Sequence, residues 1–108
     1  MCEAIVVMVT CANDEEADAI ADRVVAERLA ACAGVAGHVR SLFHWQGALS
    51  RATETLLLLK TRAELFDRLS RRVRELHSYE VPEIIALPVV AGDADYLAWV
   101  RESTAEAG

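Results

Sequence analysis

The spacing of apolar positions changes several times along the chain, and each change marks an element. Residues 4–12 (AIVVMVTCA) are β-branched and almost continuously apolar, which predicts a buried strand. Asn13 follows as an N-cap with Glu16 three residues on, the spacing of a capping box. Ala17, Ile20, Ala21, Val24, Leu29 and Cys32 then recur at helical intervals, and Gly34 is the expected stop. From Val35 to Trp45 the period returns to two, with Val39, Ser41, Phe43 and Trp45 on one face and Arg40, Leu42 and His44 on the other. Gly47 in QGAL predicts a hairpin turn into a third strand, TETLLLLKT. Thr61, with Glu64 behind it, is the expected cap of a second helix lined by Leu65, Leu69, Val73 and Leu76. After the polar stretch HSYEVPE (77–83), the run IIALPVV predicts a fourth strand, placed on an edge because Pro88 has no N–H to donate. Gly92 and Asp93 open a short last helix carrying Tyr96, Leu97, Trp99 and Val100, and the tail STAEAG is expected to fray.

The order β-α-β-β-α-β with a terminal helix is the ferredoxin-like split βαβ pattern of the α+β class, in one domain spanning 1–108. Two helices cover only one face of a four-stranded antiparallel sheet. The other face of such a sheet is normally polar, giving alternation along each strand. IVVMV, LLLL and IIALPVV do not alternate, so the second face needs a cover that the chain does not supply, and another copy of the chain is the simplest one.

Composition narrows the function classes. Hydrophobic residues make up 54% of the 108, which excludes a disordered chain. The net charge of −6 argues against nucleic acid or an anionic membrane as partner. The arginines of RLSRRVRE alternate with Glu64, Asp67 and Glu75, as on a solvated helix face. The 3 cysteines, Cys2, Cys11 and Cys32, are odd in number and show no CxxC spacing, so a reducing compartment is expected. The start MCEAIVVMVT has no basic n-region and too short an apolar run for a signal peptide or membrane span, so the protein is read as cytoplasmic.

Five segments in register then point to a family. AERLAAC, HWQG, LLLLKT, ELHSYEVPEIIALPV and GDADYLAWV together resemble the CutA family of divalent-cation tolerance proteins, almost end to end. The resemblance implies a ferredoxin-like fold and a tight homotrimer with sheets facing inward. It also implies architectural kinship with the trimeric PII signalling proteins, which bind small molecules between subunits. Copper-binding members use a Cys late in the first strand and a His-His pair before Pro-Tyr. Those positions fall here at Val9, Leu76-His77 and Ser78, so one His of the constellation is kept. The family's Pro-Gly after the first helix is Gly37-His38, and its Trp-Glu-Gly is Trp45-Gln46-Gly47.

His77, Glu83 and Cys11 are the candidate metal ligands, offering nitrogen, oxygen and sulfur to Cu(II) or another divalent cation, with no obligatory cofactor. The competing reading makes His77 a helix-end residue giving its protons to the last carbonyls, and Cys11 a small buried hydrophobe. Cys32 reads as core on an apolar helix face. Trp45, Lys60, Tyr79, Tyr96 and Trp99 are candidates for a cleft between subunits, either lining a small-molecule pocket or anchoring subunit contacts. No nucleophile elbow, phosphate loop or HExxH is present, so no catalytic residue is assigned and the chain is read as a non-enzyme. Weak metal binding in an intersubunit cleft is the leading expectation, with a PII-like module for a small anionic metabolite as the alternative.

Overall fold

The computed structural model describes residues 3–107, so Cys2 lies outside the described residues. Four strands and three α-helices follow in the expected order: β1 (Ala4–Cys11), α1 (Asp14–Ala26), β2 (Cys32–Trp45), β3 (Ala48–Arg62), α2 (Phe66–Leu76), β4 (Ile84–Pro88) and α3 (Ala94–Ser103). The sheet order is β2-β3-β1-β4, and every neighbouring pair is antiparallel. Pro88 ends the edge strand β4, where its missing N–H leaves no ladder bond open.

Register explains the two faces. Ile5, Val7, Val9, Cys11, Leu57 and Leu59 point to the same side and join Ala17, Ile20 and Val24 of α1 and Leu69 and Val73 of α2 in one buried cluster. The opposite face presents Val6, Met8, Leu56 and Leu58, with Ile85 and Leu87 on β4 each 49% exposed. α3 reaches only one end of it. Tyr96 meets Cys32 there, and Arg62 donates from Nε to Thr104 Oγ1 (2.8 Å) and from a terminal nitrogen to the Thr104 carbonyl (2.9 Å).

Several boundaries differ from expectation, each for a local reason. α1 stops at Ala26, because Arg28 turns left-handed at φ 60° and the Arg28 and Leu29 amides close on the Val25 and Val24 carbonyls. This is a Schellman ending with arginine in the usual glycine place. Cys32 therefore lies in β2 and is partly exposed, not in the helical core. β3 starts directly after the turn at Ala48, because Gln46 (φ 50°) and Gly47 (φ 80°) make a two-residue hairpin connection between Trp45 and Ala48. Thr61 does not cap a helix. Its hydroxyl is buried and donates to the Leu29 carbonyl (2.7 Å), and α2 is entered through a 3₁₀ turn over Ala63–Leu65. The tail does not fray through 107: Thr104 is fully buried, and Ala107 packs on the core. α3 does begin as expected, with the Asp93 carboxylate accepting the Tyr96 N–H at 3.1 Å.

One arginine of α2 holds two helices together. Arg72 pairs with Glu27 at the end of α1 (3.0 Å) and with Glu75 (3.2 Å), which raises the guanidinium's pKa through hydrogen bonds to both carboxylates and lowers that of Glu27.

Candidate functional site

The site is built where β1 runs into α1. Asn13 caps the helix by accepting the Glu16 N–H at 2.8 Å, which fixes the first turn. The Glu16 side chain does not complete the capping box. One oxygen accepts the Ala12 N–H (2.8 Å) and the other accepts the Ser78 N–H (2.7 Å), tying the start of α1 to the loop after α2. Burial pushes this carboxyl's pKa up, but the Ala12 and Ser78 hydrogen bonds outweigh it, and the net displacement is downward.

His77 ends α2 with its side chain fully buried. Its Nε2–H donates to the Thr10 carbonyl at 2.8 Å, and its Nδ1 accepts the Tyr79 N–H at 3.0 Å. A carbonyl only accepts and an amide only donates, so this arrangement holds the neutral ring in a single tautomer. The ring serves the end of β1 rather than the last carbonyls of its own helix. The Tyr79 ring lies 4.7 Å from the His77 ring. Its hydroxyl is pushed to about 12, by burial first and then by hydrogen bonding to Glu54, a carboxylate only 7% exposed.

Cys11 completes the group. Its thiol, the Glu16 carboxylate and a His77 ring nitrogen all lie within 4.8 Å of one another. Burial, with Glu16 and Glu54 adding negative charge nearby, pushes the thiol to about 12. A sulfur, a nitrogen and an oxygen are the right donor types for a borderline divalent ion. The same donors are occupied by hydrogen bonds, and the thiol is held protonated, so the site suits a cation in kind without being preformed for one.

Beside the cluster lies a cleft of about 310 Å³ lined by Ala12, Asn13, Asp14, Glu15, His38, Thr53 and Thr55. The Asp14 carboxylate there accepts from Thr55 Oγ1 (2.7 Å) and from His38 Nε2 (3.0 Å), which together lower its pKa.

The structure thus brings Cys11, His77 and Tyr79 together and adds Glu16 and Glu54. Glu83 is exposed and outside the cluster, one residue past the buried Pro82. Lys60 lies in register with Val6 and Cys32, five residues along β3 from the Cys11 partner Thr55, a distance of about 17 Å. Tyr96 and Trp99 form a separate group, with ring centroids 5.6 Å apart and the Tyr96 hydroxyl 3.5 Å from Cys32 Sγ. Trp45 stands at the tip of the hairpin, 41% exposed. Glu16 was hidden in the sequence by a sufficient local explanation, its capping-box spacing. Glu54 had a readable signal, the lone carboxylate of β3, two residues before the leucine run.

Comparison with known proteins agrees with this architecture. Residues 5–103 match the family model described as CutA1 divalent ion tolerance protein. The chain is 46% identical over 99 residues to the divalent-cation tolerance protein CutA of Thermus thermophilus, covering 92% of this chain and 96% of that one. It is 44% identical over 96 residues to human Protein CutA, covering 89% of this chain and 54% of the human protein, so it spans about half of that relative. The solved structure of the divalent cation tolerance protein from Thermus thermophilus superposes with a TM-score of 0.91 at 44% identity, over 94% of this chain and 98% of that one. With near-complete coverage in sequence and in fold, the chain belongs to the CutA1 divalent ion tolerance protein family.

Proposed function

We propose that this protein is a homotrimeric, non-enzymatic, divalent-cation-binding member of its family, holding the ion weakly at Cys11 and His77 with Glu16 as the third donor. The observation that carries the reading is the convergence of those three ligand atoms within 4.8 Å, on a chain whose relatives are named for divalent-cation tolerance. Weakness follows from the same geometry, since the His77 bond to a metal replaces a hydrogen bond already made and the Cys11 bond replaces a proton already held. Glu83, exposed beside edge strand β4, faces the cleft between copies in this reading, as do Trp45, Lys60, Tyr96 and Trp99. The trimer is supported by the apolar second sheet face and by a long β2–β3 ribbon whose outer half pairs only with itself. A reducing, cytoplasmic setting is supported by the free thiols of Cys11 and Cys32, and no helix among the described residues is long and apolar enough to cross a membrane.

Titration of the purified protein with Cu(II) and Zn(II) by calorimetry tests the reading. Weak, saturable binding that is lost in His77→Ala with the assembly intact is expected. Tight copper binding in a variant lacking both Cys11 and His77 would place the ion elsewhere. The alternative, a PII-like module for a small anionic metabolite, draws on the Tyr96–Trp99 pair beside Cys32 and its cross-strand neighbour Lys60. Binding of a nucleotide that survives chelator and depends on Lys60 would favour it.

A further inference from the structure

The donors of the Cys11–Glu16–His77 group are not equally engaged. A carboxylate has about four lone-pair sites, so Glu16 can take a cation and keep its Ala12 and Ser78 amides. A neutral imidazole has one acceptor nitrogen. In His77 that nitrogen is Nδ1, because Nε2 carries the proton directed at the Thr10 carbonyl. Nδ1 also lies 3.8 Å from Glu16 Oε2, and its one lone pair already accepts the Tyr79 N–H at 3.0 Å. A metal and the Tyr79 amide need the same lone pair, so they exclude each other.

The amide is not an isolated contact. Tyr79 also lays its ring against His77 and links its hydroxyl to Glu54. Its neighbours are held on both sides, by the Ser78 N–H on Glu16 (2.7 Å) and by Arg74 donating to the Glu80 carbonyl (3.2 Å). Moving the Tyr79 amide off the imidazole disturbs the ring contact and uncovers a carboxylate that is now nearly sealed.

We propose that docking of the Tyr79 amide on His77 and binding of a divalent cation by His77 Nδ1, Glu16 and Cys11 are mutually exclusive, so that metal occupancy is converted into release of the loop from Tyr79 onward, with Ser78 still held by Glu16. This rests on the metal-binding reading above and adds its regulation. The loop acts as an internal competitor, and the observed affinity is the intrinsic affinity reduced by the fraction of molecules in which the loop is open. The ion class is borderline, Zn(II) or Cu(II), as the mixed nitrogen, oxygen and sulfur donors require. Release exposes Glu54 and the Tyr79 ring together, a local change in charge and apolar surface that a bound partner copy would sense.

Zn(II) is the probe of choice, because it does not oxidise the Cys11 thiol. The protein is followed by backbone amide NMR and hydrogen exchange as Zn(II) is added, with affinity measured by calorimetry for the wild type, Tyr79→Ala and His77→Ala. The expected result is faster exchange and a shifted resonance at Tyr79 on saturation, with the Ser78 amide still protected. Tyr79→Ala, which removes the ring contact and the Glu54 link, should bind Zn(II) roughly five- to tenfold more tightly, as losing about one net hydrogen bond of loop docking would give. Zn(II) binding that requires His77 but leaves the Tyr79 amide as protected as before overturns the competition and leaves the metal reading standing. Binding that persists in His77→Ala overturns the site, and absence of binding in both wild type and Tyr79→Ala overturns the metal reading and the competition together. The wild-type exchange experiment does not depend on any variant folding.

Discussion

Glu16 shows how one side chain connects local and tertiary structure. It stands in the first turn of α1, and its carboxylate collects one amide from the end of β1 and one from the loop after α2. Glu16→Ala leaves both amides without that acceptor, which costs about 1–3 kcal/mol where the amide stays buried. A lowered thermal midpoint is expected, with the extra mobility concentrated at Ser78. An unchanged midpoint and unchanged Ser78 exchange would show that the carboxylate does not hold the loop. The pH dependence has a definite sign. The folded-state pKa is below the ordinary value of 4.5, so the contribution is fully present above that pH and is lost as the pH falls through the folded value. Part of the acid destabilisation of the wild type should therefore come from Glu16, and Glu16→Gln should flatten that part of the stability–pH curve. His77, by contrast, is held by two backbone groups, so His77→Ala removes the donor to Thr10 and the acceptor for Tyr79 at once.

At the level of elements, the β2–β3 hairpin is a long ribbon turned by two residues. Both Gln46 and Gly47 have positive φ, a conformation in which the handedness of the turn matches the twist of the strands. Gly47→Val places a β-branched side chain in the left-handed region and should cost about 1–2 kcal/mol. Gln46→Asn suits the same region and should be neutral or slightly stabilising. Thermal melts of the two variants check the pair; equal midpoints would mean that the turn conformation is not as described. The outer part of the ribbon exposes residues on both sides, Phe43 and Trp45 on one and Leu42 and Leu49 on the other. An isolated two-stranded ribbon is marginal in water, so its stability should depend on contacts from outside the chain.

The whole molecule is elongated, 45 × 26 × 22 Å, because that ribbon projects from a small body with one core. The two faces of its sheet give contrasting predictions. Leu57 is fully buried under the helices, and Leu57→Glu should cost several kcal/mol as an unpaired carboxylate enters the core. Ile85 lies on the other face and is 49% exposed in the single chain, so Ile85→Glu should leave the chain folded and weaken assembly. Light scattering on a size-exclusion column should report three chains for the wild type and smaller species for Ile85→Glu. A folded wild-type monomer would remove the trimer, and a trimer unaffected by Ile85→Glu would move the interface off this face. An unchanged melting temperature in Leu57→Glu would contradict the assignment of the inner face.

What the sequence determined by itself was the element order, the antiparallel fold and the doubly apolar sheet, because strand and helix periods and β-branched runs are local properties of the chain. It also pointed to Cys11 and His77, which stand out by residue type. The helix end at Arg28 was not legible, since the left-handed turn sits on an arginine, whose side chain reaches the Ser103 carbonyl (3.0 Å), and not on a glycine. The places of Glu16 and Glu54 in the polar cluster were decided only by tertiary structure. Glu16 and His77 are 61 residues apart along the chain and meet because α1 and α2 pack side by side on the same face, bringing the start of one helix to the end of the other. Glu83, near His77 in sequence, is exposed beyond the buried Pro82, whereas Glu54, far from it, is brought to the Tyr79 hydroxyl. Sequence proximity constrains where a backbone can go over a few residues, but which side chains share a buried space is set by the packing of distant elements, and that information appears only when the chain has folded.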